Sequence, residues 1–368
     1  MSFAFGFSNE DLSDDELDIV SSNENGPVTN SITKENPLDS DTLLQDTVNQ
    51  PKFIHLDDLL KSLANVRLSF EEVQTSVTKT VIYRRELFDV KHQLMSEVDS
   101  TTGNIELEIL MGETNEDLRR NVYEGGLKSW ECSIDLVDSL IENPIQLPQC
   151  QNIIELGCGT SLPSEFLFME YLRSDSNAGI NFTLCDYNES VLRLVSVPNM
   201  IIAWAKTVLT EKQWSELQTT EVPNIPINSD ELLLTCKLLE AFKSHLLSRN
   251  ISFSFISGSW GRQFMNVLSD HKLTSSTNTL ILTAETIYQP DTLPVITETL
   301  IELILNYKKF SVPVKCLLAA KDIYFGVGGS IVEFEEYITK RISADTLPLS
   351  LSKFKVNAGL KRSIVLIE

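Results

Sequence analysis

Residues 153–160 read Ile-Ile-Glu-Leu-Gly-Cys-Gly-Thr, a short apolar run that breaks into a Gly-X-Gly turn and enters a helical pattern. A second apolar run, residues 182–185, ends in Asp186. A strand, a glycine turn, a helix and a second strand closing on a carboxylate is how an open parallel sheet holds a nucleoside. The glycines let backbone approach the ligand closely, and the carboxylate accepts hydrogen bonds from a ribose diol. The third glycine of a dinucleotide fingerprint is missing, because the run continues Gly157-Cys-Gly-Thr-Ser-Leu162. A pyrophosphate calls for that glycine and for an open helix N-terminus. A nucleoside cofactor without phosphate does not.

The rest of the chain repeats the alternation. Helical spacing over 130–141 ends before Pro144, and a helix is expected after Pro163. Another starts near Asn188 and is interrupted at Pro198. Further strands are expected at 252–256, 279–283 and 314–319, with helices over 292–306 and 331–341. Ser330 with Glu333 three residues on reads as the start of the last helix. Residues 353–356 and 363–367, separated by Asn357-Ala-Gly359, suggest a terminal antiparallel pair. Short apolar strands alternating with helices imply an α/β fold, a mostly parallel sheet clad on both faces. Upstream, 53–63 has helical spacing and 80–90 reads as strand. The expected organisation is an acidic, disordered tail over 1–50, an N-terminal extension over 51–120 packing on the main domain, and the main domain over 121–368. Residues 206–250 form an insertion in that domain, with helical patterns such as 231–247 and no recognisable chemistry.

Charge and cysteine usage narrow the partners. Of a net charge of −22, half lies in residues 1–60, which hold 13 Asp or Glu against 2 Lys. Such a surface repels a phosphate backbone, so no direct nucleic-acid binding is expected, and it attracts a basic protein. The alternative for the tail is a solvated segment kept for solubility. An aromatic opening, Met1-Ser-Phe-Ala-Phe-Gly-Phe, reads as a docking peptide or a frayed terminus. No uninterrupted apolar run is long enough to cross a bilayer and no secretory signal is evident, so no membrane association is expected. Six cysteines without a Cys-x-x-Cys pair or histidines at ligand spacing read as reduced thiols of a cytoplasmic or nuclear protein, with no metal.

Ligands of such a sheet sit beyond the carboxyl ends of its strands. Those ends carry Gly157-Cys-Gly, Asp186-Tyr-Asn, Ser257-Gly-Ser-Trp-Gly, Ala284-Glu-Thr-Ile-Tyr and Lys321-Asp-Ile-Tyr-Phe-Gly-Val-Gly-Gly. Glycine, aromatic or acidic residues at all five ends point to a binding site, and S-adenosylmethionine is a nucleoside cofactor of the required kind. None of the four histidines falls in a motif, and there is no His-Glu-x-x-His or Gly-x-Ser-x-Gly, which excludes zinc-hydrolase and serine-esterase readings.

The stretches Tyr123-Glu-Gly-Gly-Leu-Lys-Ser-Trp-Glu-Cys, Glu155-Leu-Gly-Cys-Gly-Thr, Asp186-Tyr-Asn, Gly258-Ser-Trp, Thr286-Ile-Tyr and Tyr324-Phe-Gly-Val-Gly-Gly resemble the eukaryotic histidine protein methyltransferases. These are of the methyltransferase-like eighteen type, and the fungal member is nearest in look. The resemblance covers about residues 121–368. Related lysine methyltransferases usually have Asp-x-x-Tyr where this chain has Glu285-Thr-Ile-Tyr288. The resemblance implies a seven-strand Rossmann-like class I methyltransferase sheet with a terminal antiparallel strand. It also implies transfer from S-adenosylmethionine to the tele nitrogen of a histidine in a large-subunit ribosomal protein, universal protein three, with a role in ribosome biogenesis or translation. Residue by residue, Trp130, Glu131 and Cys132 would wall the methionine end, and Gly157 would admit the cofactor. Asp186 would hold the ribose, with Tyr187 and Asn188 flanking it. Gly258, Ser259 and Trp260 would frame the adenine. Ala284 would lie near the methionine part, where the family often has serine. Glu285, or a nearby carbonyl, would accept the hydrogen of the substrate ring. Tyr288, Phe325, Gly326, Gly328 and Gly329 would meet the substrate chain. A monomer is expected. The competing readings are a protein-lysine methyltransferase and an acidic assembly factor that shields a basic ribosomal protein.

Overall fold

The computed structural model describes residues 36–40, 49–97, 125–143, 151–219, 228–271, 277–326, 328–356 and 361–368. The expectations for 1–35 and 41–48 of the tail, 98–120 of the extension, Tyr123, 220–227 of the insertion and 357–360 lie outside the described residues. Eleven strands are described. Eight of them, β1 (Lys52–Ile54), β4 (Asn152–Leu156), β5 (Ile180–Asp186), β7 (Ile251–Ser257), β8 (Thr279–Ala284), β9 (Val314–Lys321), β10 (Leu351–Val356) and β11 (Arg362–Ile367), form one sheet in the order β1-β7-β5-β4-β8-β9-β11-β10. The five central strands are parallel, and β11 runs antiparallel to both β9 and β10. The sequence implies seven strands; the eighth is β1, which pairs antiparallel with the exposed edge of β7.

The central strands are apolar on both faces because both faces are covered: all five residues of β4 are buried. One face packs under the helices Leu162–Arg173 and Cys236–Ser248 and much of Glu189–Val208. The other packs under Arg262–Asp270, Leu293–Lys309 and Ile331–Asp345. The helix Glu189–Val208 is long and apolar enough to cross a membrane, but 78% of its apolar window is buried. It is a core helix. Pro198 does not end it: a π turn over Leu192–Ser196 precedes the proline, and the helix runs on to Val208.

Upstream elements differ from the expectation in two places. Residues 53–63 divide into β1 and the helix Leu56–Ser62. The stretch read as one strand over 80–90 divides into β3 (Val81–Arg85) and the helix Leu87–Glu97, which buries Val90 and Leu94 on one face. Alternation stops at Arg85, and the four-residue spacing takes over. A second sheet, in the order β3-β2-β6, joins β2 (Arg67–Gln74) to β6 (Glu231–Leu233) from the 206–250 insertion. Within the segment expected to be disordered, Leu38 is fully buried and Asp39 bonds Arg262 at 2.7 Å.

Candidate active site

Strand order decides where a ligand can sit. From β4 the chain moves outward to β5 and β7; from β8 it moves the other way to β9. The crevice therefore opens beyond the carboxyl ends of β4 and β8, which pair in parallel with Leu156 beside Thr283. Gly157 follows the first strand and Glu285 the second. A cleft at this point is lined by Gly126, Lys128, Trp130, Glu155, Gly157, Gly159, Asp186, Tyr187, Trp260, Ala284, Glu285, Thr286 and Tyr288, among others.

Gly157 has φ +62°, and a Cβ there would lie 2.5 Å from Thr286 Cγ2 and 3.6 Å from the Trp260 ring. Its bare backbone keeps the cleft floor open. Gly159 also turns left-handed; its amide donates to Asp186 Oδ2 at 2.9 Å, and the amide of Asn188 donates to Asp186 Oδ1 at 3.2 Å. Asp186 is thereby fixed at the end of β5, 6% exposed. The loop through Gly126 crosses above: a Cβ on Gly126 would meet Val191 at 3.0 Å and Asp186 Oδ2 at 3.4 Å. Behind the glycine turn, burial pushes the Glu155 carboxyl up to about 8. The Ser164 amide donates to it at 3.1 Å, opposing that shift. Burial also pushes the Cys158 thiol well up, so it is inert as a nucleophile.

Glu285 is the most unusual residue of the cleft. Its backbone is left-handed, with φ +59°, and its side chain is 7% exposed. Neither carboxylate oxygen has a hydrogen-bond partner among the described residues. Its closest ionic neighbour is Lys321 Nζ at 3.8 Å, which also lies 3.3 Å from Glu131 and 5.1 Å from the centre of the Trp130 ring. Two weak acids face the carboxylate: burial, then the Glu285 charge, push up both the Cys132 thiol and the Tyr324 hydroxyl.

Of the residues singled out in the sequence, the cleft brings together Trp130, Gly157, Asp186, Tyr187, Trp260, Ala284, Glu285 and Tyr288. Glu131, Cys132 and Asn188 stand behind this wall, through Lys321, Glu285 and Asp186 respectively. Gly258 and Ser259 precede Trp260 and are not among the lining residues. Gly258 admits Pro51, whose Cα would be 2.6 Å from a Cβ there, and the Ser259 amide donates to the Asn49 carbonyl at 2.9 Å. The Asn49 side chain in turn bonds the Tyr187 hydroxyl. Gly329 packs backbone to backbone on residues 287–288, leaving 2.1 Å between a Cβ and the Ile287 carbonyl. Its amide donates to the Tyr288 carbonyl at 2.9 Å, so the 324–329 turn is moored beside the cleft with Phe325 81% exposed at its tip. Gly126, Lys128, Thr286 and Lys321 stand in the stretches that the sequence singles out but carry no assigned site role there. The signal for Lys321 was its place at the end of a central strand, the only cation at the five strand ends.

No family model matches the chain. Histidine protein methyltransferase 1 of Saccharomyces cerevisiae is 54% identical to it, across 100% of this chain and 98% of that protein. The Schizosaccharomyces pombe protein of the same name is 34% identical across 77% of this chain and 75% of its own length. The chain belongs to the histidine protein methyltransferases. A Bos taurus homolog of that family is 29% identical over 68% of this chain and 57% of its own. Membership makes the chain a methyltransferase enzyme with histidine as the acceptor type, against the lysine alternative, and S-adenosylmethionine is its cofactor. The residues fit that cofactor. The open floor at Gly157 leaves room between Thr286 and Trp260. The Trp260 indole nitrogen is buried without a partner among the described residues. Asp186, Tyr187, Trp130 and Ala284 line the same cleft.

Proposed function

We propose that this enzyme methylates the tele nitrogen, Nε2, of a histidine in a basic large-subunit ribosomal protein, universal protein three, and so acts in ribosome biogenesis or translation. Glu285 carries the reading: a buried carboxylate in the cleft wall, facing the Cys132 thiol and the Tyr324 hydroxyl but with no N–H bonded to either oxygen among the described residues, suits a ring N–H supplied by substrate. S-adenosylmethionine, when bound, supplies a methyl group activated by positive sulfur. The protein must align the acceptor, exclude water and set the ring tautomer. An imidazole whose Nδ1 keeps its hydrogen presents its lone pair at Nε2, and Glu285 accepts that Nδ1–H. The Nε2 lone pair, held toward the donor, would take up the methyl group. The ring then turns positive beside the Glu285 carboxylate, which stabilises it. The Nδ1 proton would be lost to water after the product leaves Glu285. Orientation of this kind is worth on the order of 7–11 kcal/mol.

Tyr288 and the turn carrying Phe325, Gly326 and Gly328 are the surface along which the substrate chain would lie, with the buried Gly329 holding that turn against Tyr288. A net charge of −22 supports a basic partner and opposes nucleic acid. The enzyme would act as a monomer, in cytoplasm and nucleus, where a ribosomal protein is made and assembled. The test is transfer of labelled methyl to purified large-subunit ribosomal proteins, followed by acid hydrolysis and amino-acid analysis. Label in tele-methylhistidine of universal protein three is expected. Label confined to another protein, to pros-methylhistidine or to methyllysine would overturn the assignment.

A further inference from the structure

Lys321 has no role in the chemistry described so far, yet its ammonium group sits against the acceptor site. It ends β9 with its side chain 17% exposed, 3.8 Å from Glu285 Oε1 and 3.3 Å from Glu131 Oε2. The same nitrogen lies 5.1 Å from the Trp130 ring centre and 5.9 Å from that of Tyr324. Two carboxylates and two aromatic faces each attract positive charge. Together they make a cation site, and the chain fills it with its own lysine. Glu285 and Trp130 line the cleft, whereas Lys321 stands one layer behind them.

We propose that Lys321 is a specificity-determining, positioning residue: it balances the cleft's negative charge, so that the site offers a hydrogen-bond acceptor to a neutral imidazole without attracting an ammonium group. This rests on the histidine reading of the cleft. With Lys321 in place, Glu285 can accept an N–H, but a lysine substrate would bring a second ammonium group toward the first. Without it, the buried Glu285 carboxylate beside Trp130 loses its ionic neighbour, while Glu131 stays half-exposed with Arg362 near it. That environment favours any cation, including the side chain of a lysine substrate and the sulfonium of the methyl donor over its neutral thioether product.

Lys321→Met and Lys321→Arg separate charge from packing. The first readout needs no substrate: calorimetric affinities for S-adenosylmethionine and for S-adenosylhomocysteine. Lys321→Met should raise the preference for the charged ligand by about tenfold, as the field of one nearby unit charge allows, and Lys321→Arg should leave it as in the wild type. The second readout uses two peptides, one carrying the acceptor histidine and one carrying lysine in its place. Methyllysine should form with Lys321→Met and not with the wild type or Lys321→Arg. An unchanged ligand preference in a folded Lys321→Met protein overturns the proposal, as does unchanged rejection of the lysine peptide. A Lys321→Arg protein that behaves like Lys321→Met overturns it too, because charge would then not be the property that matters. Failure of the histidine reading shows separately, as a wild-type protein that leaves the histidine peptide unmethylated while the ligand preferences still shift.

Discussion

Replacing Glu285 by glycine should make the protein more stable and less active. Three terms set the size. The left-handed backbone at φ +59° costs a non-glycine residue about 1–2 kcal/mol, which glycine does not incur. The two carboxylate oxygens are buried with no N–H bonded to them among the described residues, facing only the weak Cys132 and Tyr324 donors, and an under-satisfied buried polar group costs about 1–3 kcal/mol. Against these stands the loss of the Lys321 contact at 3.8 Å. Lys321 keeps Glu131 at 3.3 Å, so that loss is about 1 kcal/mol, in the range of a partly exposed pair. The net gain is about 2 kcal/mol, or a rise in Tm of about 4 °C for a domain of this size. Glu285→Gln keeps the strained backbone and removes only the charge, so it should rise less. Both variants should lose most histidine methylation at unchanged cofactor affinity. Differential scanning calorimetry, with a single-turnover methylation assay, decides the matter. A Tm that falls by several degrees would mean that Glu285 is held for stability; an unchanged methylation rate would mean that it does not face the substrate.

Three further outcomes are expected. Gly157→Ala places a Cβ 2.5 Å from Thr286 Cγ2 in a left-handed backbone, which should cost about 3 kcal/mol and abolish cofactor binding; adding Thr286→Ser, which removes that methyl, should recover roughly half the stability, as read by denaturant midpoints. Glu155 has its carboxyl raised by burial from 4.5 to about 8, so the native state holds a proton that the unfolded chain gives up. Its contribution is therefore full below 4.5 and lost as pH rises through about 8, and Glu155→Gln should flatten that part of the profile of Tm against pH. Arg362 and Asp135 form a buried pair at 2.5 and 3.1 Å. Arg362→Met alone should cost about 3–5 kcal/mol, and Asp135→Leu in the same protein should restore most of it; a single variant as stable as the wild type would show the pair to be dispensable.

The sequence alone determined the alternation of strands and helices, the glycine turn at 157–159 and the carboxylate that ends β5. Those are local properties: apolar periodicity, the left-handed conformation open to glycine, and the acid that closes a strand are all written within a few residues. It also carried Glu285 to the right strand end, since the residues after each central strand can be read in order. The tertiary structure decided what depends on residues far apart in the chain. Nothing local says that β1 pairs with β7, or that Pro51 packs against Gly258 and the Asn49 carbonyl accepts from the Ser259 amide. Nothing local puts Lys321 beside Glu285 either. That neighbourhood follows from β8 and β9 lying side by side, with Ala284 opposite Ala319 and the two chains leaving the sheet together. Strand order and register set which charges meet, and neither leaves a trace in the period of a single strand.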